Sequence, residues 1–140
     1  MIMKSYNKII VGLIGDGGEK EVVEHAYQLS INLDCKLSVI HVNYMHAGDM
    51  SMMMDSPKEV TTDDIKTQLN KYLGEDNAKT IDVLVHQGES ISKTIQKHSQ
   101  DCDLFIVGHR KMSQFKANFM DSVDEGITNL ISCPVLVVQK

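Results

Sequence analysis

Five short apolar runs separated by amphipathic stretches form the basic pattern of this chain. The runs are Ile9–Ile14, Lys36–Val42, Thr80–Val85, Asp103–Val107 and Pro134–Val138. Nearly continuous apolar runs of this length are typical of strands that are buried on both faces, as in a parallel sheet. The pattern therefore predicts five strands, the first of which ends at a glycine-rich turn, residues 15–18.

The stretches between these runs carry the periodicity of helices. Their apolar stripes are Val22, Ala26, Leu29 and Leu33; Ile65, Leu69, Tyr72 and Leu73; Ile91 and Ile95; and Val123, Ile127, Leu130 and Ile131. Helix starts are predicted near Thr61, where acidic residues follow, at Glu89 or Ser90, and at Ser122. Strands that alternate with helices predict one α/β domain, residues 1–140, with a parallel sheet, helices on both faces and right-handed crossovers.

Composition and charge narrow the range of partners. The chain has 140 residues, 42% of them hydrophobic and 24% charged, which is ordinary for a single folded domain. The net charge of −5 disfavours non-specific binding to nucleic acid or to an anionic membrane. No apolar run approaches the ~18 residues of a membrane span, and residues 1–7 lack a signal-peptide core. We therefore expect a cytoplasmic protein.

Sulfur-containing residues raise two further questions. Cys35, Cys102 and Cys133 are an odd number without a close pair in sequence, which argues against a disulfide framework and fits a reducing compartment. We expect them to act as small buried apolar residues, with redox sensing as the less favoured alternative. Residues 44–58 read as a long loop with five methionines, whose soft sulfur atoms make Cu(I) handling an alternative to simple packing.

Over essentially its whole length the chain resembles the universal stress protein family. The matching segments are Lys8–Val11 with Gly15, Leu37–Val42, Val85–Glu89, Asp103–Gly108 and Cys133–Val138. The resemblance implies a doubly wound open sheet of five mainly parallel strands in the order 3-2-1-4-5, Rossmann-like and similar to the adenine nucleotide alpha hydrolases. It also implies a homodimer formed through the last strand, by Val135, Leu136, Val137 and Val138.

The resemblance leads to a specific test for ATP binding. Family members that bind ATP carry Gly-x2-Gly-x9-Gly-[Ser/Thr] after the fourth strand and an Asp at the end of the first. Here the motif falls on Gly108, Lys111, Asp121 and Ser122, and the Asp position falls on Ile14. Only glycine lets the backbone approach a phosphate closely with positive φ, and the Asp121 carboxylate would repel it. These departures predict that ATP is not bound tightly.

A degenerate nucleotide site remains the alternative. Its candidate residues are Gly15, Val39, Gly108, Arg110, Ser122 and Val123. For Ser122 the better interpretation is a capping box with Glu125, and Arg110 with Lys111 is expected to belong to a solvated loop. The turn after the first strand also lacks the serines of a Ser-Gly-Gly-x-Asp-Ser phosphate loop.

The sequence identifies no catalytic set. His41 and His109 titrate in a useful range, but no Ser, Cys or Asp accompanies them in a catalytic pattern, and we expect His41 to be a hydrogen-bonded residue at a strand end. The leading prediction is a cytoplasmic, dimeric, non-catalytic stress-response module without a cofactor, which binds protein partners not identified by the sequence. The alternatives are an ATP- or AMP-binding protein and copper handling by residues 44–58.

Overall fold

A five-stranded parallel sheet organises the fold. The computed structural model describes residues 5–15, 17–44, 59–109 and 126–139. Its strands are β1 Lys8–Gly12, β2 Lys36–Tyr44, β3 Asp82–Gly88, β4 Leu104–His109 and β5 Val135–Gln139. They lie in the order β3-β2-β1-β4-β5, and each neighbouring pair is parallel. The predicted fold class and strand order are confirmed.

Helices cover both faces of this sheet. They are α1 Lys20–Asn32, α2 Thr62–Leu73, α3 Glu75–Ala78 and α4 Ile91–His98, and residues 126–130 are also helical. One apolar core lies between the sheet and helices α1 and α2, and a second lies on the opposite face with α4 and residues 127–131. Ile9, Ile10 and Val11 of the central strand are fully buried because they alternate between these two cores. Each such side chain contributes roughly 1.5–3 kcal/mol of burial free energy.

Two helix starts follow the predicted capping chemistry. Thr61 Oγ1 accepts from the Asp64 N–H at 3.1 Å, while Asp64 Oδ2 accepts from the Thr61 N–H at 2.9 Å. This reciprocal pair is a capping box, which satisfies two backbone donors that the helix itself leaves open. Ser90 caps α4 by accepting from the Lys93 N–H. The predicted cap at Ser122 lies outside the described residues.

Several strand boundaries differ from the sequence prediction. β1 ends at Gly12, two residues before Ile14, and the chain then turns away from the strand direction. β2 continues through Tyr44, which was assigned to the following loop. β3 begins at Asp82 rather than Thr80, because the Thr80 N–H and hydroxyl both bond the Asn77 carbonyl in a turn.

Two features of the helices were also missed. α2 ends at Leu73 and is capped by Gly74, whose φ of +85° suits glycine, and the short α3 follows directly. In α1, Leu33 is an exposed cap residue rather than part of the buried stripe, whereas Val23 is fully buried. The reason is that α1 contacts both the sheet and α2, so the helix buries a second row of side chains.

Candidate functional site at the carboxyl edge of the sheet

The order of the strands places one crevice at the centre of the sheet. β1 lies between β2 and β4. The helix that follows β1 packs on one face of the sheet, and the helical residues that precede β5 pack on the opposite face. The crevice outside the carboxyl ends of β1 and β4 is thus a topological switch point, where open α/β sheets bind their ligands. Gly15 lies in the loop after β1, and Gly108 is the penultimate residue of β4. The structure brings these two predicted site residues to the same edge.

Of the other candidates for the nucleotide site, Val39 alone lies in the described residues. Val39 is in the middle of β2 with 0% of its surface exposed, and its side chain packs in the core. Arg110, Ser122 and Val123 lie outside the described residues, as do Lys111 and Asp121 of the altered motif. The described part of the site is therefore the β1 side of the crevice.

Glycine is required at position 15 by the fold itself. Gly15 has a φ of +85°, and a Cβ atom there would lie 3.1 Å from Cγ1 of Val60. The loop therefore turns tightly and packs directly against the segment that leads into α2. Gly15 fits a phosphate-binding turn in its geometry, but its conformation has a structural cause that needs no ligand.

Glu19 fills the position that an anion would take on this loop. Its Oε2 accepts from the Ile14 N–H at 3.0 Å, and its Oε1 accepts from the Gly15 N–H at 2.7 Å. Only 1% of the Glu19 surface is exposed. Its carbonyl accepts from the Val23 N–H in the first turn of α1, so the residue starts the helix while its side chain turns back to the loop. The carboxylate also complements the positive end of α1.

The carbonyl groups of the same loop are bonded to side chains of β2 and α2. His41 Nδ1 lies 2.7 Å from the Leu13 carbonyl oxygen, and Gln68 Nε2 donates to the Gly15 carbonyl at 3.0 Å. The Leu13 N–H donates to the Ile40 carbonyl at 2.9 Å. Five of the six backbone polar groups of residues 13–15 are therefore hydrogen-bonded within the chain.

A second set of bonds holds the approach to α2 against β2. Asn43 Nδ2 donates to the Val60 carbonyl at 2.8 Å, and Asn43 Oδ1 accepts from the Val60 N–H at 3.1 Å. The same oxygen lies 3.1 Å from His41 Nε2. His41 is buried, and both of its ring nitrogens contact oxygen atoms, which confirms the predicted hydrogen bonding. The predicted position is wrong, because β2 continues to Tyr44 and His41 lies inside the strand.

The arrangement has clear chemical consequences. The N–H groups that could bind a phosphate after β1 already bind a carboxylate, and a phosphate next to Glu19 would meet a like charge. The Ile14 side chain, at the position of the expected Asp, is 62% exposed and offers only apolar surface. Gln68 Oε1 is a buried acceptor without a hydrogen-bond donor among the described residues.

Neither metal binding nor a membrane span finds support in the described ranges. No group of three or more His, Cys, Asp or Glu side chains there has the arrangement to hold a metal ion. No helix in those ranges is long and apolar enough to cross a membrane. The methionine-rich loop, the basis of the copper alternative, falls almost entirely within residues 45–58 and outside the described residues.

The predicted dimer strand occupies the edge of the sheet. β5 pairs only with β4 in the strand order, so its other side has no neighbour among the described strands. Val138 is buried and Val135 is half-buried, while Leu136 and Val137 are exposed. The edge position of this strand agrees with the prediction.

Sequence reasoning overlooked Glu19. The stretch from Gly15 to Glu19 predicts a turn and lacks the serines of a phosphate loop, but neither feature assigns a role to Glu19. A usable signal was present: an acidic residue directly after two glycines and three residues before the buried Val22 marks a helix start that faces a tight turn. What the sequence does not show is that the side chain points back to the loop.

The fold is that of a doubly wound α/β protein, a class that binds its ligands at the carboxyl edge of the sheet. The model of the universal stress protein family matches residues 5–139, and the chain belongs to this family. A search of curated protein sequences found no match.

Solved structures of universal stress proteins share the fold of this chain. A universal stress protein in complex with cAMP has 19% identity, covers 97% of this chain and 98% of its own, and superposes with a TM-score of 0.67. The universal stress protein of Archaeoglobus fulgidus in complex with dAMP has 15% identity, coverage of 96% and 99%, and a TM-score of 0.62. The protein UspA of Lactobacillus plantarum has 16% identity, coverage of 97% and 99%, and a TM-score of 0.68.

Proposed function

We propose that this chain is a cytoplasmic, dimeric universal stress protein that acts as a non-catalytic binding or regulatory module and does not bind ATP tightly. The observation that carries the proposal is the Glu19 carboxylate on the Ile14 and Gly15 N–H groups. A triphosphate at the β1 side of the crevice would have to displace this internal anion and leave a buried carboxylate without its donors. Loss of such bonds costs roughly 1.5–3 kcal/mol for each hydrogen bond to a charged group.

The motif after β4 supports the same conclusion from the other side of the crevice. Lys111 and Asp121 stand where ATP-binding members carry glycine, and Ile14 stands in place of the Asp. A side chain at a glycine position blocks close approach of the backbone to a phosphate. The two sides of the crevice thus depart from the ATP-binding pattern in different ways.

The dimer proposal rests on β5. A strand at the edge of a sheet presents open backbone groups, and Leu136 and Val137 add exposed apolar surface to it. Pairing with a second copy across a two-fold axis would cover both. Resemblance to the family suggested the same strand. The protein partners of the dimer are not specified by these features.

A nucleoside monophosphate is the second candidate ligand. Structures similar to this chain were solved with cAMP and with dAMP, which carry less negative charge than ATP. The weaker repulsion from Glu19 favours such a ligand over a triphosphate, and the open acceptor Gln68 Oε1 could receive the amino group of an adenine base in either case.

One experiment separates these possibilities. The native protein would be purified, denatured and analysed by chromatography for released nucleotides, and its thermal unfolding would be recorded with millimolar ATP, AMP, cAMP or dAMP. We expect no stoichiometric nucleotide and no ATP-dependent rise in melting temperature, because a ligand that binds only the native state stabilises it by mass action.

Controls make the result specific. Inorganic tripolyphosphate matches the charge of ATP without the nucleoside and reports non-specific anion effects. A shift with cAMP or dAMP but not with ATP would support the monophosphate alternative. Co-purified ATP, or a large shift with ATP alone, would contradict the proposal and show that Lys111 and Asp121 are tolerated in an ATP site.

A further inference from the structure

Two cysteines that are distant in sequence meet at the amino ends of neighbouring strands. Cys102 lies two residues before β4, and Cys133 lies two residues before β5. Because β4 and β5 are parallel neighbours, their first residues come to the same end of the sheet. The two Sγ atoms are 2.9 Å apart, across 31 positions of sequence. Both cysteines are in the thiol form.

The backbone next to each sulfur is held in place. The Cys102 N–H donates to the Ser99 carbonyl at 3.1 Å, in the turn that follows α4. On the other side, the Phe105 N–H donates to the carbonyl of Pro134, the residue after Cys133, at 2.9 Å. These bonds fix the two thiols relative to each other, so their contact is a property of the sheet.

The surroundings give the two thiols different roles. Cys102 is 6% exposed and packs with Phe105, Ile127 and Ile131, whereas Cys133 is only half-buried. Burial, with a smaller contribution from the hydrogen bond to Cys133, raises the pKa of the Cys102 thiol to about 12. Cys102 therefore keeps its proton at neutral pH, and the sulfur within reach of a reagent from solvent is that of Cys133.

We propose that Cys102 and Cys133 form a redox modification site, at which a hydroperoxide converts the thiol pair to a reversible intramolecular disulfide. The sulfur atoms are already within about 1 Å of the covalent S–S distance of roughly 2.05 Å. Disulfides of proteins in a reducing compartment are typically transient and redox-sensing, which is the kind of bond proposed here.

The chemistry balances with the hydroperoxide as the oxidant. The Cys133 thiol loses its proton as its sulfur attacks one peroxide oxygen, the O–O bond breaks, and the departing alkoxide takes up a proton, so that a sulfenic acid and an alcohol form. The Cys102 sulfur then attacks the Cys133 sulfur, its proton goes to the departing hydroxide, and water leaves. Two thiols and one hydroperoxide give one disulfide, one alcohol and one water. Exchange with a reduced dithiol reverses the reaction.

The disulfide would close a loop that contains much of the candidate site. Residues 103–132 lie between the two cysteines, and they include Gly108, Arg110, Ser122 and Val123 of the predicted nucleotide remnant. A covalent tie between the starts of β4 and β5 restricts the unfolded chain and so stabilises the native fold. For a loop and a chain of this size we expect the melting temperature to rise by on the order of 10 °C.

The test uses the native protein and its third cysteine as an internal reference. Cys35 donates to the Tyr6 carbonyl at 2.9 Å, and the sulfur–sulfur contact of the described residues joins Cys102 to Cys133 and not to Cys35. The protein is treated with one equivalent of hydrogen peroxide, blocked with an alkylating reagent and digested without reduction. We expect one linked peptide pair that contains Cys102 and Cys133, with Cys35 alkylated, and loss of the link and of the thermal shift after dithiothreitol.

Variants and a second oxidant keep the result unambiguous. Cys35→Ser should retain the link, whereas Cys133→Ser should abolish both the link and the thermal shift while keeping its reduced-state melting temperature. The link is read from peptides because peroxide also adds oxygen to methionine, and diamide, an oxidant of thiols, should give the same peptide pair. Alkylation of both Cys102 and Cys133 after oxidation, or links through Cys35 between chains, would overturn the proposal.

Discussion

At each end of the sheet one carboxylate accepts hydrogen bonds from two backbone N–H groups, but the surroundings of the two carboxylates differ. At the amino end, Asp103 Oδ2 accepts from the backbone N–H groups of Asn7 and Lys8 at 2.8 and 3.0 Å. At the carboxyl end, Glu19 accepts from two N–H groups of the loop after β1 at 3.0 and 2.7 Å. In each case one carboxylate satisfies two donors that no strand partner reaches.

The surroundings separate the two carboxylates. Glu19 is almost completely enclosed, whereas Asp103 lies beside solvent-exposed ion pairs, among them Lys8 with Asp101 at 2.9 Å. The hydrogen bond from Lys8 is the main reason that the pKa of Asp101 is lowered. Asp103 at the amino end therefore only joins strands, whereas Glu19 at the carboxyl end also occupies the edge where this fold binds ligands.

The comparison predicts a large cost for removal of Glu19. Glu19→Ala removes a buried charged acceptor from two partly buried donors, so we expect the free energy of unfolding to fall by about 3 kcal/mol. Urea denaturation followed by circular dichroism measures this change. Glu21→Ala, in the exposed first turn of the same helix, is the matched control and should change the value by less than about 0.5 kcal/mol.

The matched change at the other end should cost less. Water can reach the N–H groups of Asn7 and Lys8 after Asp103→Ala, so we expect a loss of about 1 kcal/mol. Equal losses for Glu19→Ala and Asp103→Ala would show that burial does not distinguish the two ends, and the argument that Glu19 is a structural anion would lose its basis.

The fold was largely predictable because its signals are local. The apolar runs gave all five strands, and Thr61 and Ser90 gave two helix starts that the structure confirms. The errors also have local causes: Thr80 belongs to a turn closed by Asn77, and Gly74 separates α2 from a helix too short to show periodicity. The alternation of strands and helices determines the topology, and errors of a few residues at the element boundaries do not change it.

The candidate site was less predictable because it depends on contacts between distant residues. Position along a strand decides that Val39 is enclosed while Gly108 reaches the edge, and the motif alone does not state that position. The contact of Cys102 with Cys133 follows from the pairing of β4 with β5, although their spacing in sequence suggested no pair. Side-chain direction, as for Glu19, is the part that sequence patterns express least.

A pH titration should separate the carboxylates from a histidine pair. His86 on β3 and His98 on α4 stack with ring centroids 3.7 Å apart and an interplanar angle of 7°. Burial, then the neighbouring His86 and Lys97, lowers the pKa of His98 below its ordinary value of 6.5. As the pH falls below 6.5, His98 therefore takes up a proton more readily in the unfolded chain than in the folded one. Its contribution to stability is present above pH 6.5 and is lost as the pH falls through the lower pKa of the folded state.

We therefore expect the free energy of unfolding to decrease between pH 7 and pH 5, by less than the Glu19→Ala effect. Carboxylates of ordinary pKa titrate mainly below this range. Urea denaturation at several pH values in His98→Gln should show a weaker decrease, whereas His25→Gln, on the exposed side of α1, should follow the unchanged protein. An identical pH dependence in His98→Gln would rule out the stacked pair as its source.

A substitution in β5 should have the smallest effect on the stability of the single chain and a large effect on dimer formation. Val137 is 46% exposed, so Val137→Lys should alter the free energy of unfolding of the single chain by no more than about 0.5 kcal/mol. In a dimer joined edge to edge, the same change places two charges against an apolar strand, and light scattering should report the monomer mass. Ile31→Lys replaces an apolar residue on α1 that is even more exposed, at 57%, and should keep the dimer. A dimer of unchanged mass in Val137→Lys would place the interface elsewhere on the protein.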